Sequence, residues 1–592
     1  MEKLKKRSTA MLKKLGKSFR KNFPVVILGI LLCFLVRFMF GRANVVTALV
    51  SIIGIRELYG TTIKLTNYMR YGITLLAVVL LGTFGGINVF AAVIINFIVI
   101  GFTAFALYDN LQPAGAYFTI SLQVLLMEYS GGIAVVHIPR RLLCVLFCMT
   151  VSGAVLLVVN NFFRKHKDDE YVIAGCKAIA DKLGKFVNGE AISGDKDLFS
   201  VTSEFCRENY SSFADQFYIL DESKKRDFLS LMTLEQISDL VYDTETKLVN
   251  LNENDKEYFE ELIRIFARAK SIKRLAIELN GFVDDYSISN PQLSSLWKKY
   301  LLSLVDYAKY KNKPVIKKGT FKEAFGFRLS VLKKRFSYSS SYNLRKALQI
   351  ASIVALFTGI AKVVPVTEAM VFPIAAFCVL SVYPEVKLRA TISGIAGIIA
   401  LIVIYMLVLG AVPFDWRLPV SYIISVLGIS VTSSHFMKAG FSVQLISSVV
   451  FPTAVMSPEI IVKIGMVLLG SCLSWLLVKW IFNTPNHKKY KLHISDLAQV
   501  NWTSMSLLQN SRLDNSATGY LCEFMFIQHL MLEHISNSSK DLVDSNRIRY
   551  SNMLSFNCDL LTEIAYAMTV LKPVALPREW IIAMKKRLTN VF

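Results

Sequence analysis

The stretch Arg70-Tyr-Gly-Ile-Thr-Leu-Leu-Ala77 recurs in loose form as Lys387-Leu-Arg-Ala-Thr-Ile-Ser-Gly394: a basic residue, Thr four later, a small residue seven later. Each copy opens the third of six apolar segments. The first six are Phe23–Phe40, Asn44–Ile55, Tyr71–Phe84, Asn88–Leu107, Ala114–Met127 and Arg141–Phe163; the second six are Ala347–Ala361, Ala369–Val382, Ala390–Leu409, Val420–Val431, Gly440–Phe451 and Ile460–Ile481. Two weaker matches keep the order, Gly115-Ala-Tyr117 over Ala439-Gly-Phe441 and Arg141 over Lys463. Because six spans return the chain to its starting side, the repeat is expected to be parallel, two halves around one pseudo-twofold axis.

Working outward, the expected fold class is an all-α integral membrane protein, two six-helix transmembrane repeats plus two cytoplasmic helical domains. The expected layout is a basic arm over residues 1–22, the first repeat over 23–163, a helical domain over 164–343, the second repeat over 344–482 and a helical tail over 483–592. Composition points the same way. The 592 residues are 53% hydrophobic and only 19% charged, with a mean hydropathy of +0.45, outside the usual range of soluble domains. Several segments are shorter than the ~20 residues that span a hydrocarbon core, so broken or short helices are expected.

The net charge of +23 has a topological explanation. Nine Lys and Arg residues crowd the first 22 positions, while residues 164–342 carry 30 basic against 27 acidic groups, which leaves no basic groove for a nucleic acid. Basic residues at the arm, at Arg56, Lys64 and Arg70, at Arg164, Lys165 and Lys167, at Arg345 and Lys346, at Lys387 and Arg389, and at Lys488, Lys489 and Lys491 all fall on one side of twelve spans. Both termini and both polar regions are then cytoplasmic, in a multi-pass plasma (inner) membrane protein. The arm, with Leu4, Met11, Leu15 and Phe19 on one face, is expected to lie on the anionic inner leaflet. It is not a secretory signal, because its apolar run contains Arg37 and lacks a small-x-small cleavage site.

In the polar regions, Gly189–Gly194, Ser287–Pro291 and Lys311–Pro314 are expected breaks between amphipathic helices, one of them carrying Phe259, Leu262, Ile265 and Phe266. The tail places Met525, His529 and Leu532 on one helix face, with Pro573 and Pro577 before a last short helix. Such bundles either cover the cytoplasmic mouth or dimerise the protein.

With its six-plus-six spans, cytoplasmic helical domain, helical tail and basic-x-x-small-Thr-x-x-small signature, the chain resembles the fusaric acid resistance (FUSC) or aromatic acid exporter superfamily, whose relatives include the plant aluminium-activated malate channels. The signature departs from Arg-x-x-Gly-Thr-x-x-Gly at Ile73, Ala77, Lys387 and Ala390. The resemblance implies an inner-membrane efflux protein or anion pathway for organic acids, sometimes assembled with a periplasmic adaptor, although no residue of this sequence indicates an adaptor.

Ionisable groups inside apolar segments are costly and are the default functional candidates of a transporter. Here they are mostly basic: Arg37, Arg141, Lys362 and Lys463 are the candidate anion pathway, and Lys64, Arg70, Lys387 and Arg389 the candidate ring at the cytoplasmic mouth. Arg141 and Lys463 break the positive-inside expectation at equivalent positions. They are either paired anion ligands or side chains snorkelling to the outer interface. Glu57, Asp109, Glu128, Glu368, Asp415 and Glu459 read as peripheral, which leaves no mid-span acid as a proton carrier. Tyr117, Phe118 and Phe441 either stack a planar substrate or pack.

No cofactor or metal is expected. His137 and His435 lack a second ligand at usable spacing, Cys144 and Cys148 read as packing residues, and Gly189-x-x-x-x-Gly194 continues into Asp195-Lys196 rather than the Lys-Ser/Thr of a phosphate loop. No nucleophile–base pair or paired carboxylates suggest an enzyme. The expectation is a transporter exporting organic carboxylates, aromatic ones included, through a basic cavity between the halves, in contact with membrane lipids, with a homodimer among the assemblies open to it. A passive anion channel and a membrane scaffold acting through its cytoplasmic bundles remain as alternatives.

Overall fold

The structure is a computed structural model. It describes residues 2–59, 65–107, 115–130, 137–159, 169–190, 196–215, 220, 222–247, 251–309, 342–364, 366–382, 388–432, 435–450 and 459–480, with 497, 501, 522–523, 525–530 and 532 of the tail. Among these there is no strand. Contacts divide the chain into two compact units, one built from Met1–Lys165 and Asn343–Asn483, the other from His166–Tyr342 and Thr484–Phe592.

In chain order the first unit contributes α1 (Glu2–Phe40), α2 (Val45–Leu58), α3 (Leu65–Ile87), α4 (Val89–Leu107), α5 (Gly115–Tyr129) and α6 (Ile138–Val158). The second unit follows with α7 (Glu170–Val187), α8 (Lys196–Asp215), α9 (Glu222–Lys247), α10 (Glu253–Arg268), α11 (Ile272–Asp285) and α12 (Pro291–Lys309). The chain then returns to the first unit as α13 (Tyr342–Val363), α14 (Val371–Val382), α15 (Leu388–Gly410), α16 (Phe414–Val431), α17 (His435–Val450) and α18 (Glu459–Trp480). The basic arm and the first apolar segment form one continuous helix through Pro24 rather than two elements. The last four acceptor-side and first four donor-side groups of these helices need partners, and short 3-10 turns, Arg42–Asn44 and Thr367–Met370, supply some of them before α2 and α14.

The first unit is apolar on the outside as well as the inside. Phe38, Phe90, Val363, Leu407, Ile461 and Trp480 all expose most of their surface, and among the described large apolar side chains only Ile277 of the second unit is comparably exposed. Apolar surface of that extent is unfavourable in water and fits a membrane environment. By length and hydropathy, five of its described helices are able to cross a bilayer: Asn22–Phe40, Ile138–Val158, Leu344–Val363, Phe414–Val431 and Ile461–Trp480. Tyr71–Ile87, Val89–Phe105, Glu368–Ser381 and Gly394–Gly410 are apolar but shorter.

Packing within this unit follows one pattern twice. In the first half α3 and α4 pack on α5, and α6 packs on α2; in the second half α15 and α16 pack on α17, and α18 packs on α14. Each first helix packs on its own half, α1 on α2 and α6 and Phe357 of α13 on Phe372, and also reaches the other. On α16, α1 packs with Gly29 against Val426 and with the Phe34 and Tyr422 rings 5.8 Å apart. On α4, α13 packs with Gly359 near Val93. In the middle, α5 meets both α14 and α17. The tightest of these interfaces depends on a glycine: a Cβ added to Gly470 of α18 would stand 2.6 Å from the backbone carbonyl of Phe372 on α14. Since that carbonyl belongs to a helix backbone, Gly470→Ala is expected to cost about 1–3 kcal/mol by forcing the helices apart, seen as a lower melting temperature in detergent.

The second unit is a helical bundle. Its core contains Phe259, Leu262, Ile265 and Phe266 of α10, with Trp297 of α12 fully buried. Ring contacts Phe186–Phe259 and Phe205–Phe228 carry the packing through α7, α8 and α9. Gly189, just beyond α7, adopts φ +69, the left-handed conformation that ends helices, and α12 starts on Pro291, whose missing N–H costs nothing in a first turn. The expected break at Lys311–Pro314 and the Pro573/Pro577 segment lie outside the described residues. From the tail, Met525, His529 and Leu532 are buried, and Phe526 packs on Phe228 at 5.5 Å.

Candidate functional site

Arg141 stands in the first turn of α6, four residues after the His137 N-cap and two after Pro139, which pre-sets the helical φ. Its side chain does not snorkel outward. It is 1% exposed and inserts between α3 and the Arg42–Asn44 turn. The guanidinium donates to Thr83 Oγ1 at 3.0 Å, and more weakly to Asn44 Oδ1 and the Ala43 carbonyl, both at 3.4 Å. Those partners are themselves anchored, Thr83 Oγ1 donating to the Val79 carbonyl and Asn44 Nδ2 to that of Phe40. All are neutral, and among the described residues no carboxylate pairs with Arg141. A buried cation normally pairs with an anion; here three hydrogen bonds to neutral oxygens satisfy the guanidinium instead.

Lys463 is buried to 2% exposure at the equivalent position of α18, a helix that packs against the Thr367–Met370 turn and α14. The helix that carries Lys463 packs within the second half, whereas the partners of Arg141 lie in the first. Lys362, near the end of α13, is half-buried and donates to the Gly86 carbonyl at 3.2 Å, reaching from one half to the other. Arg37 is exposed on α1. The four candidates are thus distributed rather than gathered around one cavity. A groove of about 440 Å³ between α4 and α13 is lined by Val93, Ala355, Leu356, Gly359, Ile360 and Val363, and holds none of them. Of the expected cytoplasmic ring, Lys64 and Lys387 and the side chains of Arg70 and Arg389 lie outside the described residues; α3 begins at Leu65 and α15 at Leu388.

Two acids read as peripheral are buried instead, Glu128 at 1% and Glu368 at 4% exposure. The physical reason is helix length. With only 15 residues, α5 ends inside the bundle, and Glu128 in its last turn faces protein. Asn96 Nδ2 of α4 donates to Glu128 Oε2 at 2.8 Å and to Thr358 Oγ1 of α13 at 2.9 Å, joining the halves. An Asn in an otherwise apolar α4 was the sequence signal for this cluster. Lys346 and Lys438, outside the candidate set, are buried as well.

The aromatic candidates pack. Phe118 stacks on Phe377 with centroids 5.5 Å apart, Tyr117 meets the same ring edge-on, and its hydroxyl lies 2.9 Å from Ser381 Oγ. Phe441 presses its ring on Gly428. Cys144 and Cys148 are buried and free, and His137 is exposed. Among the described residues no group of three His, Cys, Asp or Glu is placed to hold a metal. No protein-family model, no curated protein and no solved structure matches this chain.

Proposed function

We propose that this protein is a multi-pass transporter of the plasma (inner) membrane that exports small organic carboxylates, built from two parallel six-helix repeats with both termini cytoplasmic. Two observations support this frame: the apolar outer surface of the first unit and the recurrence of the same helix pairs in its halves. The resemblance to aromatic acid exporters favours aromatic carboxylates as cargo and outward movement. The observation that carries the transport reading is Arg141, a buried guanidinium whose partners among the described residues are all neutral, with Lys463 buried at the matching position.

The test is flux of radiolabelled phthalate, an aromatic dicarboxylate that stays ionised at neutral pH, from proteoliposomes. Wild type is expected to release it. Arg141→Ala with Lys463→Ala is expected to weaken binding about tenfold or more, since a charge-assisted hydrogen bond is worth about 1.5–3 kcal/mol. Equal flux and equal anion binding in the double variant defeats the proposal. A current driven by voltage alone, without a coupled ion, assigns a channel instead of a carrier. The closed seam, where Phe118 and Tyr117 meet Phe377, favours a second reading, a membrane scaffold, which requires zero flux for every anion tried.

A further inference from the structure

The cluster of Glu128, Asn96 and Thr358 has more acceptors than donors. Asn96 spends its amide nitrogen on Glu128 Oε2 and Thr358 Oγ1, and the Thr358 hydroxyl donates to the Val354 carbonyl at 2.9 Å. That leaves Glu128 Oε1 and Asn96 Oδ1 buried with no donor. Oε1 is pressed against Gly85 so closely that a Cβ there would collide with it, which leaves little room for water on that side. Buried oxygens are as a rule satisfied, and two bare acceptors side by side in an apolar bundle define what is missing as something that donates.

We propose that Glu128 is a proton-binding site on the seam between the halves, positioned by Asn96 and Thr358, and that it couples proton movement to anion transport. The balance is simple: the carboxylate takes one proton on Oε1 to become a carboxylic acid, supplying the absent donor, and releases the same proton when α4, α5 and α13 part. No other bond changes. The groups around the carboxyl are few. From α3 it meets the backbone at Gly85, from α4 Asn96, and from α13 Thr358 and the Lys362 ammonium, whose charge acts on it without forming an ion pair. Among the described residues α2, α14 and α17, which also pack on α5, bring no titratable group that acts on Glu128. The Lys362 charge opposes sodium and proton alike; what favours the proton is that it turns Oε1 into a donor and needs none of the space that Gly85 closes off. The second half has no counterpart among the described residues: α16 places Ser421, Ser425 and the Tyr405 hydroxyl of α15 together, without an acid.

The coupling part rests on the transport reading; the proton site does not, and two measurements separate them. Infrared difference spectra of the wild-type protein in liposomes, recorded as pH is stepped, are expected to show a carboxylic C=O band that disappears on raising the pH and is lost in Glu128→Gln. Thr358→Val, which keeps shape and removes one partner, is expected to move the pH at which the band titrates. A band that persists in Glu128→Gln, or a titration displaced by sodium chloride but not by potassium chloride at equal strength, overturns the proton site. In phthalate-loaded liposomes, a pH gradient is expected to accelerate wild-type flux and to lose that effect in Glu128→Gln, while flux without a gradient survives. Undiminished gradient dependence in Glu128→Gln overturns the coupling. Wild type with the titrating band but no carboxylate flux defeats the transport reading and, with it, the coupling, and leaves the proton site standing.

Discussion

Replacing Arg226 with Met is expected to destabilise the second unit by about 3–5 kcal/mol, the usual consequence of removing one partner from a buried ionic network. Arg226 Nη2 donates to Asp169 Oδ1 at 2.9 Å and to Asp227 Oδ1 at 2.7 Å, and Nε donates to Asp227 Oδ1 at 3.1 Å. All three side chains are less than a tenth exposed. Asp169 does more than neutralise. It precedes α7 at φ +77, a left-handed conformation uncommon outside glycine, and its Oδ2 accepts from the Ile272 amide at the start of α11. Without Arg226 two carboxylates face each other in the interior, and the link between the starts of α7 and α11 loses its clamp. The loss has a defined pH dependence. Burial holds the Asp227 carboxyl above its ordinary range even with Arg226, whose charge and hydrogen bonds pull the other way. A group raised in the folded state favours folding as pH falls through its folded value. Removing Arg226 removes the opposing pull, so the gap between variant and wild type is expected to be widest at neutral pH and to close on acidification. Thermal unfolding in detergent across that range reads both effects, and a gap that widens toward acid contradicts this account.

How much of this was legible beforehand depended on what each feature required. The helices of the first unit were readable because a bilayer demands continuous apolar runs, with Thr391 in the first turn of α15 and Thr74 nine residues after the start of α3 at Leu65. The basic arm and the first apolar segment share one helix, α1, because charge density marks where a chain meets the headgroups, not where a helix stops. Arg141 and Lys463 stood out as violations of a topological rule. That they are buried rather than snorkelling depends on which way α6 and α18 turn, and on partners 58 or more positions away such as Thr83. Glu128 was invisible for the converse reason. At the edge of an apolar run an acid looks peripheral, and only the packing that brings Asn96 and Thr358 from 32 and 230 residues away encloses it. Asp169, Arg226 and Asp227 likewise come together only when α7 and α9 pack.

Trp297→Ala is expected to cost a further large sum, about 3–5 kcal/mol, because it empties the centre of the second unit. The indole is fully buried on α12, its ring 5.5 Å from Phe259 and 6.4 Å from Tyr258, and Nε1 donates to Thr244 Oγ1 of α9 at 3.1 Å. The Thr244 hydroxyl passes its own proton to the Leu240 carbonyl at 2.6 Å, so truncation leaves no donor stranded and the penalty is mainly cavity and lost contact. Trp297→Phe separates the two contributions. It retains most of the volume and gives up the hydrogen bond, so a loss of about 0.5–1.5 kcal/mol from the bond is expected, plus the smaller gap beside Thr244. Hydrogen exchange should locate the damage, with amides of α9, α10 and α12 opening faster in Trp297→Ala while those of α14 and α18, in the other unit, keep wild-type protection. The same variant bears on function. If the first unit alone forms the anion pathway, phthalate flux survives at temperatures where α9, α10 and α12 have loosened, whereas a scaffold acting through its cytoplasmic bundles loses its activity with them.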